Sequence, residues 1–331
     1  MTHPAALTPR KASPRLAFLL GVLLALGGCA QLPGAPESPA PPGFRTLVLP
    51  GRDGATLQAL ERGARVAPLR YRVVVVPGSG CAGMGAFAGR YFAGLLHAQV
   101  LVLHKPGVDP QARTAPGDCA SGFVQQDRLS AWLGHARAAL QADALRRQGE
   151  PPVPQLLVGI SEGAELLPAL APEVPQLAGL VLIGASGLDP QQAGALQAER
   201  LGAQAAWAAL GHIQASRWAD SAVVQGRSLG YWRDLWSWPL ALPLVRSPWP
   251  LLQVWGGDDA LVPAAAYAHF AHLAARRTVP YCARRIGGAD HGLQRPDGSD
   301  GVQQVWAWVE QWARAPQAGL CGPGVSAADA S

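Results

Sequence analysis

Between Phe44 and Arg314 the chain alternates short apolar runs with helix-length segments, and this rhythm leaves few folds open. "RVVVVPG" (Arg72–Gly78), "QVLVLHKPG" (Gln99–Gly107), "PQLLVGI" (Pro154–Ile160), "LAGLVLIGAS" (Leu177–Ser186), "PLLQVWGG" (Pro250–Gly257) and "TVPYCARRIGG" (Thr278–Gly288) read as strands. A strand that is apolar on both sides has to be covered on both sides. The covering segments lie between them: "AFAGRYFAGLLHA", a long amphipathic stretch over about 123–147, "ELLPALAP", "PAAAYAHFAHLAARR" and "VQQVWAWVEQWAR". Ahead of the first run, "FRTLVLP" and "TLQALER" flank the turn "GRDG" and predict a hairpin. The expected architecture is α/β: one domain over 44–314, with an eight-stranded, mostly parallel sheet, helices on both faces and right-handed crossovers. Residues 187–248 break the rhythm. An excursion this long has structure of its own, so a helical cap is expected there, rich in tryptophan (Trp207, Trp218, Trp232, Trp236, Trp238). Those indoles suit either the cap's own core or the wall of a pocket.

The ends read differently. Arg10, Lys11 and Arg15 precede "LAFLLGVLLALGGC", an apolar run placed like the core of a secretory signal and too short to favour a spanning helix. Leu26-Gly27-Gly28-Cys29 resembles the lipobox of bacterial lipoproteins. The resemblance implies that 1–28 is a signal peptide, that Cys29 is acylated, and that the chain faces the periplasm from a membrane. Ala30 after Cys29 leans that membrane toward the outer one. Several acyl chains anchor stably where one alone is marginal. Residues 29–43 read as a Pro/Ala-rich tether and 315–331 as a tail. The net charge is +5, and 1–28 carry three basic residues and no acidic one, so the remainder holds only +2. No basic run interleaved with aromatics is left, which argues against a nucleic-acid partner.

Two segments match Gly-x-Ser-x-Gly: "GISEG" around Ser161 and "GRSLG" around Ser228. The pattern is short and carries weight only at a strand-to-helix turn. Ser161 follows an apolar strand and precedes a helical run. Ser228 follows only "AVV" and lies in the cap, so it reads as a polar turn. A serine hydroxyl is a poor nucleophile and needs a base. Asp259 in "WGGDDALVP" and His291 in "GGADHGL" each follow a later strand, and a parallel sheet gathers such ends on one edge. Asp258 is the rival acid. Asp290 adjoins His291 in sequence, which does not aim its carboxylate at the ring.

Taken together, "VVVVPGSG", "GISEG", "GGDDALVP" and "ADHG", in that order and at those intervals, resemble an α/β-hydrolase over about 44–314. The resemblance implies Ser161 as nucleophile, His291 as general base and acid, and Asp259 as the residue that orients the ring. It implies an oxyanion hole from the backbone N–H of Glu162 and of Ser79, with Gly80 as rival for the second. Relatives commonly carry His-Gly where this chain has Pro77-Gly78, a departure that bears on which amide turns inward. Cys81, Cys119, Cys282 and Cys321 allow three pairings. The expected fold favours Cys81–Cys119 and Cys282–Cys321, each closing a loop of about 40 residues worth about 3–4 kcal/mol. None of the four has zinc-like spacing. His104 ends a strand and suits burial against a backbone partner. His269 and His272 suit a helix surface, and Trp306, Trp308 and Trp312 suit packing on the sheet. No metal or organic cofactor is implied. The expected activity is hydrolysis of a small carboxylic ester, the alternatives being amide or peptide cleavage, thioester hydrolysis, or a lipid-anchored binding protein without turnover. Serine at the nucleophile position argues against dehalogenase-like chemistry.

Overall fold

The computed structural model describes residues 43–322. The expected signal segment, the lipidation candidate Cys29, nearly all of the tether and most of the tail lie outside the described residues.

An eight-stranded sheet organises the chain. Its strands are β1 (Arg45–Pro50), β2 (Thr56–Arg62), β3 (Tyr71–Val76), β4 (Ala98–Leu103), β5 (Gln155–Ile160), β6 (Leu177–Ile183), β9 (Leu251–Gly256) and β10 (Tyr281–Ile286). They run in the order β1-β2-β4-β3-β5-β6-β9-β10. The β1–β2 and β2–β4 pairs are antiparallel and all others are parallel. β3 is buried along its whole length, as its β-branched run requires.

Helices cover both faces. One carries α1 (Gly85–Tyr91) and α10 (Val302–Arg314), where Phe92, Trp306 and Trp312 pack on Val73, Val75, Val158 and Val254. The other carries α3 (Leu129–Arg146), α4 (Leu167–Leu170) and α9 (Ala264–Ala274), with Trp132, Leu140 and Phe270 against Val74, Leu157 and Leu182. Between β6 and β9 stand α5 (Pro190–Arg200), α6 (Gln204–Gln214), the small β7–β8 hairpin (Val223–Val224, Arg227–Ser228), α7 (Leu229–Trp236) and α8 (Ala241–Arg246). Trp207 and Trp236 stack there at 4.6 Å, whereas Trp218 is exposed. Disulfides join Cys81 to Cys119 and Cys282 to Cys321.

Three helical expectations need correction. The helix expected over 86–98 stops at Tyr91, because the chain then turns to meet α10: the amides of Gly94 and His97 donate to Gln303 and Glu310. The long helix expected over 123–147 is two, α2 (Ser121–Gln126) and α3, separated by extended backbone at Asp127 and Arg128. The segment after Ser161 starts as a 3-10 turn (Ser161–Leu166) and becomes α-helical only for α4, with Pro168 and Pro172 limiting it.

Candidate active site

The parallel strands bring three loops to one edge of the sheet. Ser161 follows β5 directly, Asp259 lies three residues beyond β9, and His291 lies five beyond β10. Ser161 has φ +51°, a left-handed conformation that costs a non-glycine residue of order 1–3 kcal/mol. Its surroundings enforce that strain. A Cβ on Gly159 would stand 2.4 Å from the Ala164 Cα, and one on Gly163 would stand 2.1 Å from the Val76 carbonyl. The two motif glycines therefore let the turn press against the following backbone and against β3, which pushes the serine outward.

A continuous hydrogen-bonded chain results. His291 Nε2 lies 3.0 Å from Ser161 Oγ, and His291 Nδ1 lies 2.9 and 3.1 Å from the two Asp259 oxygens. Asp259 is held by more than the imidazole: Oδ1 accepts from the amides of Leu261 and Val262 at 2.8 and 2.9 Å, and Oδ2 accepts from the Tyr267 hydroxyl at 2.9 Å. Its side chain is 2 % exposed. Burial alone would raise the carboxyl, but the His291 hydrogen bond and charge, with the two amides, bring it below its ordinary value. It is therefore a carboxylate at neutral pH.

The rival residues go elsewhere. Asp258 is exposed, and Asp290 Oδ1 accepts from the Gln294 amide. Ser228 is buried and caps α7 by accepting from the Tyr231 amide at 3.1 Å. His104 is buried and its Nε2 accepts from the Met84 amide. Burial lowers its pKa to about 4, so it is neutral at physiological pH. His269 and His272 are exposed on α9, and among the described residues no group of histidine, cysteine and acidic side chains has the arrangement of a metal site.

The loop after β3 backs onto the serine: a Cβ on Gly78 would stand 3.2 Å from the Ser161 Cβ. The amides of Gly78, Ser79 and Gly80 donate to no acceptor among the described residues. Glu162 is the second residue of the 3-10 turn, where a backbone N–H has no partner within its own helix. Amides without a backbone partner thus lie in both segments beside Ser161, which leaves both Ser79 and Gly80 as candidates for a second donor.

Sequence reasoning assigned Glu162 only its backbone and missed what its side chain does. Lys105 Nζ, from the end of β4, sits 2.6 Å from both Glu162 Oε1 and Asp127 Oδ1. From the cap, Arg227 pairs with Asp127 and the Tyr231 hydroxyl donates to Glu162 Oε2 at 2.6 Å. The Arg227 guanidinium also lies 4.8 Å from the centre of the Tyr231 ring. Two cations and two anions thus balance beside Ser161. Burial alone would raise Glu162, but the charges of Lys105 and Arg227 hold it below the usual range. Burial alone would lower Lys105, but Glu162 and Asp127 hold it above its ordinary value. The demand for paired charge at this point explains the helix break at Asp127. The one sequence signal was a lysine directly after a buried strand, in "LHKPG".

No protein-family model matches the chain, and no curated protein does. Solved structures do share its fold. A puromycin-hydrolyzing peptidase from Mycobacterium tuberculosis matches 88 % of this chain with a TM-score of 0.54 and 18 % identity; this chain spans only 42 % of that one. The esterase domain of a Rhodothermus marinus protein matches 82 % of this chain and 98 % of its own, with a TM-score of 0.51 and 21 % identity. Est1E from Butyrivibrio proteoclasticus matches 82 % and 99 %, with a TM-score of 0.54 and 14 % identity. The sheet order, the helices on both faces and these likenesses agree: the chain has the α/β-hydrolase fold.

Proposed function

We propose that the protein is a serine hydrolase that cleaves a carboxylic ester through an acyl-enzyme, with Ser161, His291 and Asp259 as its triad. The observation that carries the reading is the unbroken hydrogen-bonded chain from Ser161 Oγ through both nitrogens of His291 to a buried, ionised Asp259. Ser161 Oγ attacks the ester carbonyl while His291 Nε2 takes its proton. The charge formed on the carbonyl oxygen falls to the Glu162 amide and to that of Ser79 or Gly80. His291 then gives the proton to the leaving alcohol. Water enters, surrenders a proton to the same nitrogen, and releases the acid and the free serine. Asp259 stays ionised throughout and stabilises the imidazolium.

Among the structures that share the fold are two esterases and a peptidase. We read this chain's activity within ester and amide hydrolysis, with the ester leading. The sequence feature Leu26-Gly27-Gly28-Cys29 further supports export and acylation at Cys29, and two disulfides suit an oxidising compartment. Fluorophosphonate labelling tests the enzyme: the full chain is expected to label and Ser161→Ala to abolish it. Labelling that survives Ser161→Ala but disappears in Ser228→Ala overturns the assignment. Metabolic labelling with a fatty acid, lost in Cys29→Ser, tests the anchor.

A further inference from the structure

One turn beyond the nucleophile, a carboxyl stands without a partner in apolar surroundings. Glu165 belongs to the same 3-10 turn as Ser161, four residues on, an axial rise of about 8 Å. Its backbone carbonyl accepts from Trp238 Nε1 at 2.9 Å, which fixes the residue. Its carboxyl makes no hydrogen bond among the described residues, and Oε2 is completely buried. Glu165 lines a cavity of about 250 Å³ between the body and the cap, with Trp207, Trp232, Leu261, Val262 and the polar Gln197 and Gln225 in its wall. Leu261 and Val262 are the two residues whose amides hold Asp259, so the cavity touches both the nucleophile turn and the acid loop. Ser161 and His291 do not line it.

A buried polar atom left unpaired in an apolar wall is costly, of order 1–3 kcal/mol, and needs an explanation. We infer that this cavity is a recognition subsite for an apolar substrate group that ends in an ammonium, which pairs with Glu165. The assignment rests on the hydrolase reading above.

Charge selects the ammonium. Glu165 is the one titratable residue in the wall, and no basic side chain accompanies it. Burial first, then the negative charges of Glu162 from the same turn and Asp189 from the loop before α5, push the carboxyl well above its ordinary pKa. Asp189 is committed elsewhere, accepting from the amides of Leu240 and Ala241 at 2.6 and 2.8 Å, so its charge biases the cavity without filling it. A cation entering beside Glu165 meets the negative charges of Glu162 and Asp189, and the indoles of Trp207 and Trp232 add favourable ring faces. An acid-terminated chain meets repulsion. The rival occupant is a neutral hydroxyl, since Trp207 Nε1 is also buried and without a partner. Seating the ammonium favours the Glu165 carboxylate over its acid and so sends protons to solvent.

Calorimetry with benzylamine and benzyl alcohol decides between them. Run on the full chain carrying Ser161→Ala, it reports the cavity independently of turnover, so a failure of the hydrolase reading, seen as no fluorophosphonate labelling of the native chain, is distinguishable. Benzylamine is expected to bind at least tenfold tighter than benzyl alcohol. In buffers of differing ionisation enthalpy its binding should release protons. Glu165→Gln should weaken benzylamine roughly tenfold or more, the size of one charge-assisted hydrogen bond, and leave benzyl alcohol in place. In the active protein benzylamine should compete with an ester substrate. Equal binding of the two ligands, no benzylamine binding, no proton release, an unchanged affinity in folded Glu165→Gln, or binding without competition overturns the proposal. Proton release in the protein with native Glu165 keeps the test decisive should Glu165→Gln fail to fold.

Discussion

Replacing Lys105 by methionine keeps the aliphatic stem and removes the charge that faces Glu162 and Asp127. Taking one partner from a buried ion pair costs about 3–5 kcal/mol, because the other charge is left unpaired. Here Arg227 still faces Asp127 and Tyr231 still donates to Glu162, so the loss belongs near the lower limit, about 3 kcal/mol. For a domain of this size that corresponds to a fall in melting temperature of about 6–12 °C. Activity should fall as well. On the proposed mechanism the Glu162 amide is an oxyanion donor, and its side chain is anchored from two directions by Lys105 and Tyr231. Loss of a whole donor costs about 10²–10³ in kcat, so a displaced one should cost on the order of tenfold or more, with KM little changed. The sign of the pH dependence follows from Glu162, whose folded pKa is depressed. Its contribution is present above its unfolded value, about 4.3, and is lost as pH falls through the folded value. The gap in melting temperature between native protein and Lys105→Met should therefore narrow below about pH 4. Scanning calorimetry from pH 3.5 to 8 and initial rates on an activated ester measure both effects. A melting temperature within about 2 °C of native at pH 7, together with an unchanged kcat, would refute the claim that this buried cluster holds the elbow.

Asp259→Asn should leave the fold intact and lower kcat by about 10⁴, because the ring loses its orienting anion; steady-state rates on the same ester check this. In Gly163→Ala the new methyl group meets the Val76 carbonyl at 2.1 Å, so urea unfolding should show a loss of about 3 kcal/mol or more. Ser228→Ala removes only the cap of α7, costing about 1 kcal/mol in the same assay and leaving ester turnover near native. Glu310 accepts from the Tyr71 hydroxyl at 2.8 Å and from the His97 amide at 2.9 Å, and pairs with the His97 ring at 2.7 Å. Burial would raise its carboxyl, yet these partners bring it below its ordinary value, so its stabilisation is present above about pH 4.5 and fades as pH drops. Melting curves of Glu310→Gln should accordingly fall less steeply below that pH than those of the native protein.

What could be read in the sequence, and what could not, divides along one physical line. The strands were legible because a fully covered parallel sheet demands continuous apolar runs, and Val73 to Val76 can satisfy nothing else. The placing of Ser161, Asp259 and His291 on one edge followed from topology: residues shortly beyond the C-terminal ends of neighbouring parallel strands meet however far apart they lie in sequence. The same topology favoured Cys81–Cys119 and Cys282–Cys321 over the other pairings. Asp127 was illegible for the opposite reason. Its neighbours carry helical periodicity on both sides, and only Lys105 from β4 and Arg227 from the cap, separated from it by 22 and 100 residues, make an extended break worth its cost. Glu162 was read only for its backbone amide, and Glu165 only as the first residue of a helical run. The cap packs on this turn through Tyr231 and Trp238, and its own position cannot be deduced from periodicity, since 187–248 interrupts the rhythm that fixes everything else. Pairing then separates the two: Glu162 receives a lysine and a tyrosine, whereas among the described residues no group donates to the Glu165 carboxyl. In this chain the local pattern specifies the scaffold that carries the proposed triad. The features that set it apart, a charge cluster beneath the elbow and a lone carboxyl beside it, exist only where the cap closes over the body.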